Sequence, residues 1–226
     1  MIVNEIFYSI SGEGGSAGRP AVFIRLAGCN FIEEKHPCYY CDTVYAGRNN
    51  AGKKMTIEEV FRTIKTSWEP VFGIYRPLII ITGGEPLLNE KDVINLVSVF
   101  SVAGHDIEIE TNGSYQLSNM LTSLPVNWSL DIKTPSSGNS NMNVYENLDK
   151  LGINDQVKFV CGNIKDLEFA EDIILKYPTS ANLFIQPSYG VTDMVELINF
   201  IKMRLPMTRL STQIHKLYFG KEARGV

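Results

Sequence analysis

Cys29, Cys38 and Cys41 crowd one stretch near the amino terminus with Asp42 and Thr43 directly behind, and an apolar run further on ends in Thr82-Gly83-Gly84-Glu85-Pro86. Three thiolates can hold three irons of a 4Fe-4S cluster and leave the fourth open to a small chelating ligand. A Gly-Gly-Glu turn exposes backbone and a carboxylate to an ammonium group. Together these features suggest reductive cleavage of S-adenosylmethionine (SAM). The rival is a structural zinc site in a binding module, with His36 completing a three-Cys, one-His tetrahedron. The cysteines alone fit either centre. Cys38 and Cys41 are the only tight pair and no second knuckle follows, and zinc leaves the Gly-Gly-Glu segment unexplained, so the pairing favours the cluster.

The elements that must position these groups are legible as alternating strands and helices. Short apolar runs lie at Val22 to Ile24, Leu78 to Ile81, Ile107 to Ile109, Trp128 to Ile132, Val157 to Val160 and Leu183 to Ile185. Most are β-branched, and several lack polar alternation, as expected for parallel strands covered on both faces. Thr56-Ile57-Glu58-Glu59 has capping-box spacing and opens a helix with Val60, Phe61 and Ile64 on its apolar side. Further helices are expected at about 90–103, 165–176 and 192–204. The runs end on Arg25, Thr82, Glu110, Lys133 and Gln186. Carboxyl ends of parallel strands converge on one edge, which is where such folds bind ligands. About six strands are too few for a closed eight-stranded barrel. The expectation is an α/β fold, a partial, open parallel βα barrel, in one domain over residues 1–226 with a cluster-binding loop at about 28–55.

Composition narrows the function classes. The chain has 226 residues, 44% of them hydrophobic and 20% charged, with a net charge of −4 and a pI near 5.5. Its basic residues cluster only in pairs such as Lys53-Lys54, which gives nucleic acid no footprint and favours a small-molecule substrate. No apolar run approaches the roughly 18 residues of a membrane span. The stretch Met1 to Gly15 does not read as a signal sequence, so a cytoplasmic location is expected. Four cysteines there are read as metal ligands or redox groups, except Cys161, which closes an apolar run and is expected to be a buried core thiol. The aromatic residues are read as core.

With these motifs in view, the chain resembles the radical SAM superfamily: the Cys-x-x-Cys step, Gly-Gly-Glu-Pro after the next strand, and Glu110-Thr111-Asn112-Gly113 after the one following. The first gap is wider than usual there, running from Asn30 to Pro37. One branch with members of that kind, 7-carboxy-7-deazaguanine synthase, is similar along nearly the whole chain. The similarity includes Glu5-Ile6-Phe7, Gly12-Glu13-Gly14, Gly18 to Phe23 leading to Arg25, Ala27 to Asn30, Cys41-Asp42-Thr43 and Gln213 to Lys216.

The resemblance implies an enzyme, a radical SAM lyase of queuosine and deazapurine biosynthesis. It converts 6-carboxy-5,6,7,8-tetrahydropterin to 7-carboxy-7-deazaguanine with loss of ammonia. A deoxyadenosyl radical takes a hydrogen from C6 of the pterin, magnesium assists a ring contraction, and SAM is regenerated. Cys29, Cys38 and Cys41 hold the cluster and Thr43 places an oxygen on Mg2+, although Thr43 on its own fits a helix cap equally well. SAM is expected against Tyr40, Asp42, Gly83, Gly84, Glu85, Glu110, Asn112, Asp131, Lys133, Gln186, Pro187 and Ser188. Ile10, Ser11, Gly12, Glu13, Arg25, Thr82 and His215 are expected at the pterin, with Arg25 on its carboxylate. Glu110 and Asn112 also fit ordinary strand-end turn residues, and His215 a satisfied interior histidine. The implied partners are a flavodoxin- or ferredoxin-type electron donor and a second copy in a homodimer, with no nucleic acid or membrane. A glycyl-radical activase shares the cluster and SAM pocket and is the alternative enzyme.

The chain departs from the pattern in three places. Ser11 stands where many members have Gln before Gly-Glu-Gly, Asp131-Ile132-Lys133 replaces Ser-Pro-Lys, and Leu217 to Val226 continue past the point where some members end.

Overall fold

A computed structural model describes residues 1–68, 74–190, 193–220 and 223–225. Nine strands form one sheet in the order β3-β1-β2-β4-β5-β6-β7-β8-β9. They are β1 (Ile2–Ile10), β2 (Pro20–Leu26), β3 (Lys53–Lys54), β4 (Leu78–Gly83), β5 (Ile107–Thr111), β6 (Asn127–Ile132), β7 (Gln156–Cys161), β8 (Asn182–Pro187) and β9 (Arg209–Leu210). From β2 through β9 every neighbouring pair is parallel, whereas β1 runs antiparallel to both β2 and β3. The open, mostly parallel architecture is the expected one, and all six expected runs are strands. The sheet is wider than six because β1, β3 and β9 extend its edges. β1 is half-exposed along most of its length and has no clean apolar period, and β3 and β9 are two residues each.

The long helices follow their sequence signals. In α2 (Ile57–Ser67), the Thr56 hydroxyl accepts from the Glu59 amide at 3.1 Å and the Glu59 carboxylate accepts from the Thr56 amide at 2.7 Å, so the capping box forms. α3 (Glu90–Val102), α5 (Ile164–Lys176) and α6 (Met194–Arg204) match the other three. The expected start of the last, Thr192, lies outside the described residues, as do Lys221, Glu222 and Val226 of the C-terminal extension. Short helices α1 (Asn30–Glu33), α4 (Asn119–Thr122) and α7 (Ile214–Phe219) fill connections, and β6 reaches β7 through 3-10 turns rather than a long helix.

One face of the sheet packs against the helices. Ile24, Ile79, Ile109, Leu130, Phe159 and Ile185 join Val60, Leu96, Phe100, Leu167 and Leu197 in one buried apolar cluster. The alternate residues point the other way. On β2 and β4 these are Ala21, Phe23, Leu78 and Ile80, a small separate apolar cluster. On β5 to β8 they include Glu108, Glu110, Asp131, Lys158 and Gln186, so these strands do alternate, contrary to the sequence expectation of two apolar faces for several of them. Across this inner face folds the β1–β2 loop. Its Ser16 hydroxyl donates to Glu108 on β5 at 2.6 Å, its Gly15 amide to Gln156 on β7 at 2.7 Å, and its Gly14 amide to Ser211 beyond β9 at 3.0 Å. A single loop reaching three such distant strands shows how strongly the sheet curls.

Candidate active site

The cysteine loop and the Gly-Gly-Glu turn are held together by backbone. After β2, the Gly28 and Cys29 amides donate to Ala46 and Gly47 (2.9 and 2.8 Å), closing the loop on itself. The Gly84 and Glu85 amides reach back to Leu26 and Gly28 (3.2 and 2.8 Å). Both glycines are required by this approach: a Cβ on Gly84 would lie 2.2 Å from the Gly28 carbonyl oxygen, and one on Gly83, at φ 152°, would lie 2.1 Å from that of Leu26.

Cys29, Cys38 and Cys41 are free thiols on this loop. Burial pushes the Cys29 and Cys38 thiols up from their ordinary value, so metal binding must displace protons. The Asn139 side-chain amide lies 3.5 Å from the Cys38 sulfur, and the Cys41 sulfur is 3.7 Å from the Thr43 hydroxyl. His36 is exposed. Among the described residues no three of His, Cys, Asp and Glu are gathered as closely as a single metal ion needs. A four-iron cube spreads its thiolates further apart than one ion does, and three thiols on one loop suit it. Cys161 lies in the apolar cluster on the helix side, its thiol pushed up by burial, away from this site.

The expected SAM residues surround the loop on successive strand ends. Glu85 is fully buried and accepts from the Leu87 amide (2.9 Å), the Thr111 hydroxyl (2.9 Å) and the Asn112 amide (2.6 Å), so its carboxylate bolts β4 to β5. Burial lifts its carboxyl to about 7 against those donors. What the turn offers a ligand is therefore backbone rather than this side chain. Asn112 donates to Asn30 at 2.9 Å, tying β5 to the cluster loop. Lys133 donates to Asp131 at 2.7 Å; burial opposes its charge, but Asp131 outweighs it and keeps the ammonium firmly protonated. Tyr40 points a buried hydroxyl with no hydrogen-bond partner into the same region, and burial raises it to about 12. An orphaned buried hydroxyl beside the cysteines is what a polar ligand would satisfy. Gln186 accepts from Ser211 at 3.1 Å, Pro187 ends β8, and the Ser188 amide donates to Cys161 at 2.8 Å. Asp42 pairs with Lys216 at 2.5 Å, a partner the sequence did not announce.

Deeper on the inner face lie the expected substrate residues. Burial works against ionising Glu13, but the Lys158 ammonium at 3.3 Å, the Gln213 amide at 2.7 Å, His215 and Gln186 outweigh it and bring its carboxyl down to about 2. The His215 ring sits against Gly12, where a Cβ would lie 2.3 Å from Nδ1. Ser11 is buried and anchors the loop, its amide donating to Arg19 at 2.8 Å. Arg25 and Thr82 are register partners on β2 and β4. The Arg25 Nε donates to Glu5 at 2.7 Å and Tyr45 donates to the same carboxylate oxygen at 2.8 Å, so the guanidinium is held from one edge. Ile10 is the exception: it stands 43% exposed at the end of β1, and the structure does not bring it to the inner face with the others.

Three kinds of comparison bear on this arrangement. The family model described as a 4Fe-4S single cluster domain matches residues 10–149. The 7-carboxy-7-deazaguanine synthase of Methanospirillum hungatei JF-1 is 39% identical over 96% of this chain and 84% of its own length. That of Clostridium acetobutylicum is 37% identical over 99% and 98%. The chain belongs to the 7-carboxy-7-deazaguanine synthase family. Among solved structures, QueE from Escherichia coli is similar with a TM-score of 0.72 at 23% identity, covering 95% of this chain and 94% of that one. Streptococcus suis SuiB bound to S-adenosylmethionine shares the fold at a TM-score of 0.57 and 11% identity, over 87% of this chain and 51% of SuiB.

In this member of the synthase family, sequence reasoning missed Lys158, Glu108 and Gln156 on the inner face, Glu5 and Tyr45 behind Arg25, and the roles of Gln213 and Lys216. The signal for the first three was present: Ile107 to Glu110 and Gln156 to Phe159 alternate apolar and polar residues. Tyr45 had none and Lys216 only its place in the Gln213 to Lys216 stretch, because their partners are set only by the closed fold.

Proposed function

We propose that this member of the family converts 6-carboxy-5,6,7,8-tetrahydropterin to 7-carboxy-7-deazaguanine, with loss of ammonia, inside the curl of the sheet. The observation that carries this reading is that Arg25, Asp131, Lys158 and Gln186 share the inner face of the sheet, with Glu13 on Lys158 and the thiol loop and glycine turn at the carboxyl ends of the same strands. The 4Fe-4S cluster and SAM, when bound at Cys29, Cys38 and Cys41, supply a carbon radical able to take hydrogen from a C-H bond. The protein's own groups bind, orient and exclude water.

Glu13, kept ionised, suits the adjacent N-H donors on the amino-pyrimidinone edge of a pterin. The free edge of Arg25, pinned by Glu5, suits the substrate carboxylate. Thr82 lies between them and the turn, and His215 backs Gly12. Tyr40, Asp131, Lys133 and the strand ends at Glu110, Asn112 and Gln186 are the SAM side. Thr43 precedes the 3-10 turn Val44–Ala46, where its hydroxyl makes no capping hydrogen bond and lies 3.7 Å from the Cys41 sulfur, a place beside the cluster loop that suits an Mg2+ ligand. A glycyl-radical activase needs room for a polypeptide, whereas here the β1–β2 loop lies across the inner face. We read the chain as one radical SAM domain, cytoplasmic, working as a homodimer with a flavodoxin- or ferredoxin-type electron donor. Among the described residues no helix is long and apolar enough to cross a membrane.

The test is an anaerobic assay of iron-sulfide-reconstituted protein with SAM, dithionite, Mg2+ and the pterin, following product by mass-resolved chromatography. Wild type should form 7-carboxy-7-deazaguanine, and Cys38→Ala should lose both bound iron and product. SAM cleavage without the deazaguanine would refute the substrate.

A further inference from the structure

The segment after β9 touches both the Gly12-Glu13 stretch on the inner face and the cluster loop at Asp42. On the floor side, the Ile214 amide donates to the Gly12 carbonyl at 3.0 Å and the Gln213 side chain donates to the Glu13 carboxylate at 2.7 Å. The other end of the same Gln213 amide accepts from the Lys216 ammonium at 3.0 Å. Lys216 is 7% exposed, and its carboxylate partner is Asp42, between Cys41 and Thr43. On the far side of Glu13 the line continues through Lys158 at 3.3 Å to Asp131 at 3.6 Å and from there to Lys133. A chain of charged and amide groups thus leaves the cluster loop at Asp42, crosses the pocket through Glu13 and returns to the cluster side at Lys133.

We propose that Gln213 and Lys216 are positioning residues that couple occupancy of the pterin pocket at Glu13 to the geometry of the cluster loop at Asp42. This rests on the pterin reading above. Gln213 is engaged at both ends of its amide, so it cannot follow Glu13 toward a ligand without drawing on Lys216. Lys216 is a buried ammonium, and a buried charge is held only where its partners are fixed, so it transmits a displacement rather than absorbing it in water. Asp42 is covalently next to a cluster thiol and one residue from the proposed Mg2+ ligand, so small movements there reach both. Asp42 faces solvent on its open side, and Lys216 ties its carboxylate to the Glu13 side.

Hydrogen exchange by mass spectrometry on the anaerobically reconstituted full chain tests this, with 6-carboxy-5,6,7,8-tetrahydropterin added and SAM omitted so that nothing turns over. In wild type the pterin should slow exchange at residues 11–16 and also at 38–44, by roughly tenfold or more. In Lys216→Met and in Gln213→Leu the slowing at 11–16 should remain and that at 38–44 should disappear. With SAM and reductant restored, the same variants should release more 5'-deoxyadenosine per deazaguanine than wild type. Asp42→Asn approaches the link from its other end and should match Lys216→Met, which decides the matter if either of the first two variants fails to fold. Slowing at 38–44 that survives in these variants, or that is absent in a wild type protected at 11–16, overturns the coupling and leaves the pterin reading intact. Wild type that shows no pterin binding at all removes the pterin reading, and the coupling with it.

Discussion

On the helix side of the sheet, Ile81, Ile109, Leu130, Phe159 and Ile185 come from five adjacent strands and belong to one buried apolar cluster. One residue along each strand, on the other side, stand Thr82, Glu110, Asp131, Lys158 and Gln186. The first face stabilises the fold by removing apolar surface from water, at roughly 25 cal/mol per Å². The second works against it, because charges taken out of water are at best compensated by their partners. A sheet can carry such a face only when the opposite one holds it, and the division assigns stability to one side and ligand recognition to the other.

The sharpest way to break this comparison is Lys158→Met. It removes the ammonium between Glu13 and Asp131, leaving Glu13 only neutral donors and His215 and Asp131 only Lys133, and should cost about 3–5 kcal/mol. Turnover should fall far more than the residual folded fraction explains, which steady-state assays alongside chemical denaturation will show. On the helix side, Ile109→Ala should cost about 2–5 kcal/mol in denaturation while kcat and KM, measured below the unfolding transition, stay within a small factor. Glu108 sharpens the inner-face account through pH. Burial and the neighbouring Glu110 lift its carboxyl from 4.5 to about 7, so between those values the folded state binds more protons than the unfolded one. Its contribution is therefore complete below pH 4.5 and lost as pH rises through 7, and Glu108→Gln should remove on the order of 2–3 kcal/mol from that downward slope. The smallest effect belongs to Thr56→Ala, which opens the α2 capping box far from either function and should cost about 0.5–2 kcal/mol with unchanged activity.

How much of this was written in the sequence follows the same division. Apolar runs and a capping box identify elements because strand and helix periods are local, and six strands and the four long helices were legible for that reason. The cysteines and Gly83-Gly84-Glu85 were legible because their spacing is itself the chemistry. Glu85 was misjudged in kind: its side chain is spent on Leu87, Thr111 and Asn112, contacts that no spacing predicts. β1 escaped notice because an antiparallel edge strand half-covered on both sides lacks a clean period. The pairings of Lys216 and Tyr45 were invisible because Asp42 and Glu5 become their neighbours only after the sheet curls and the C-terminal segment returns across it.

The most direct measurement is the anaerobic product assay run side by side on wild type, Lys158→Met and Ile109→Ala, at a temperature where denaturation curves show all three folded. The account predicts 7-carboxy-7-deazaguanine from wild type and Ile109→Ala at comparable rates and little or none from Lys158→Met. Equal product from Lys158→Met, or a loss confined to Ile109→Ala, would contradict the assignment of recognition to the inner face.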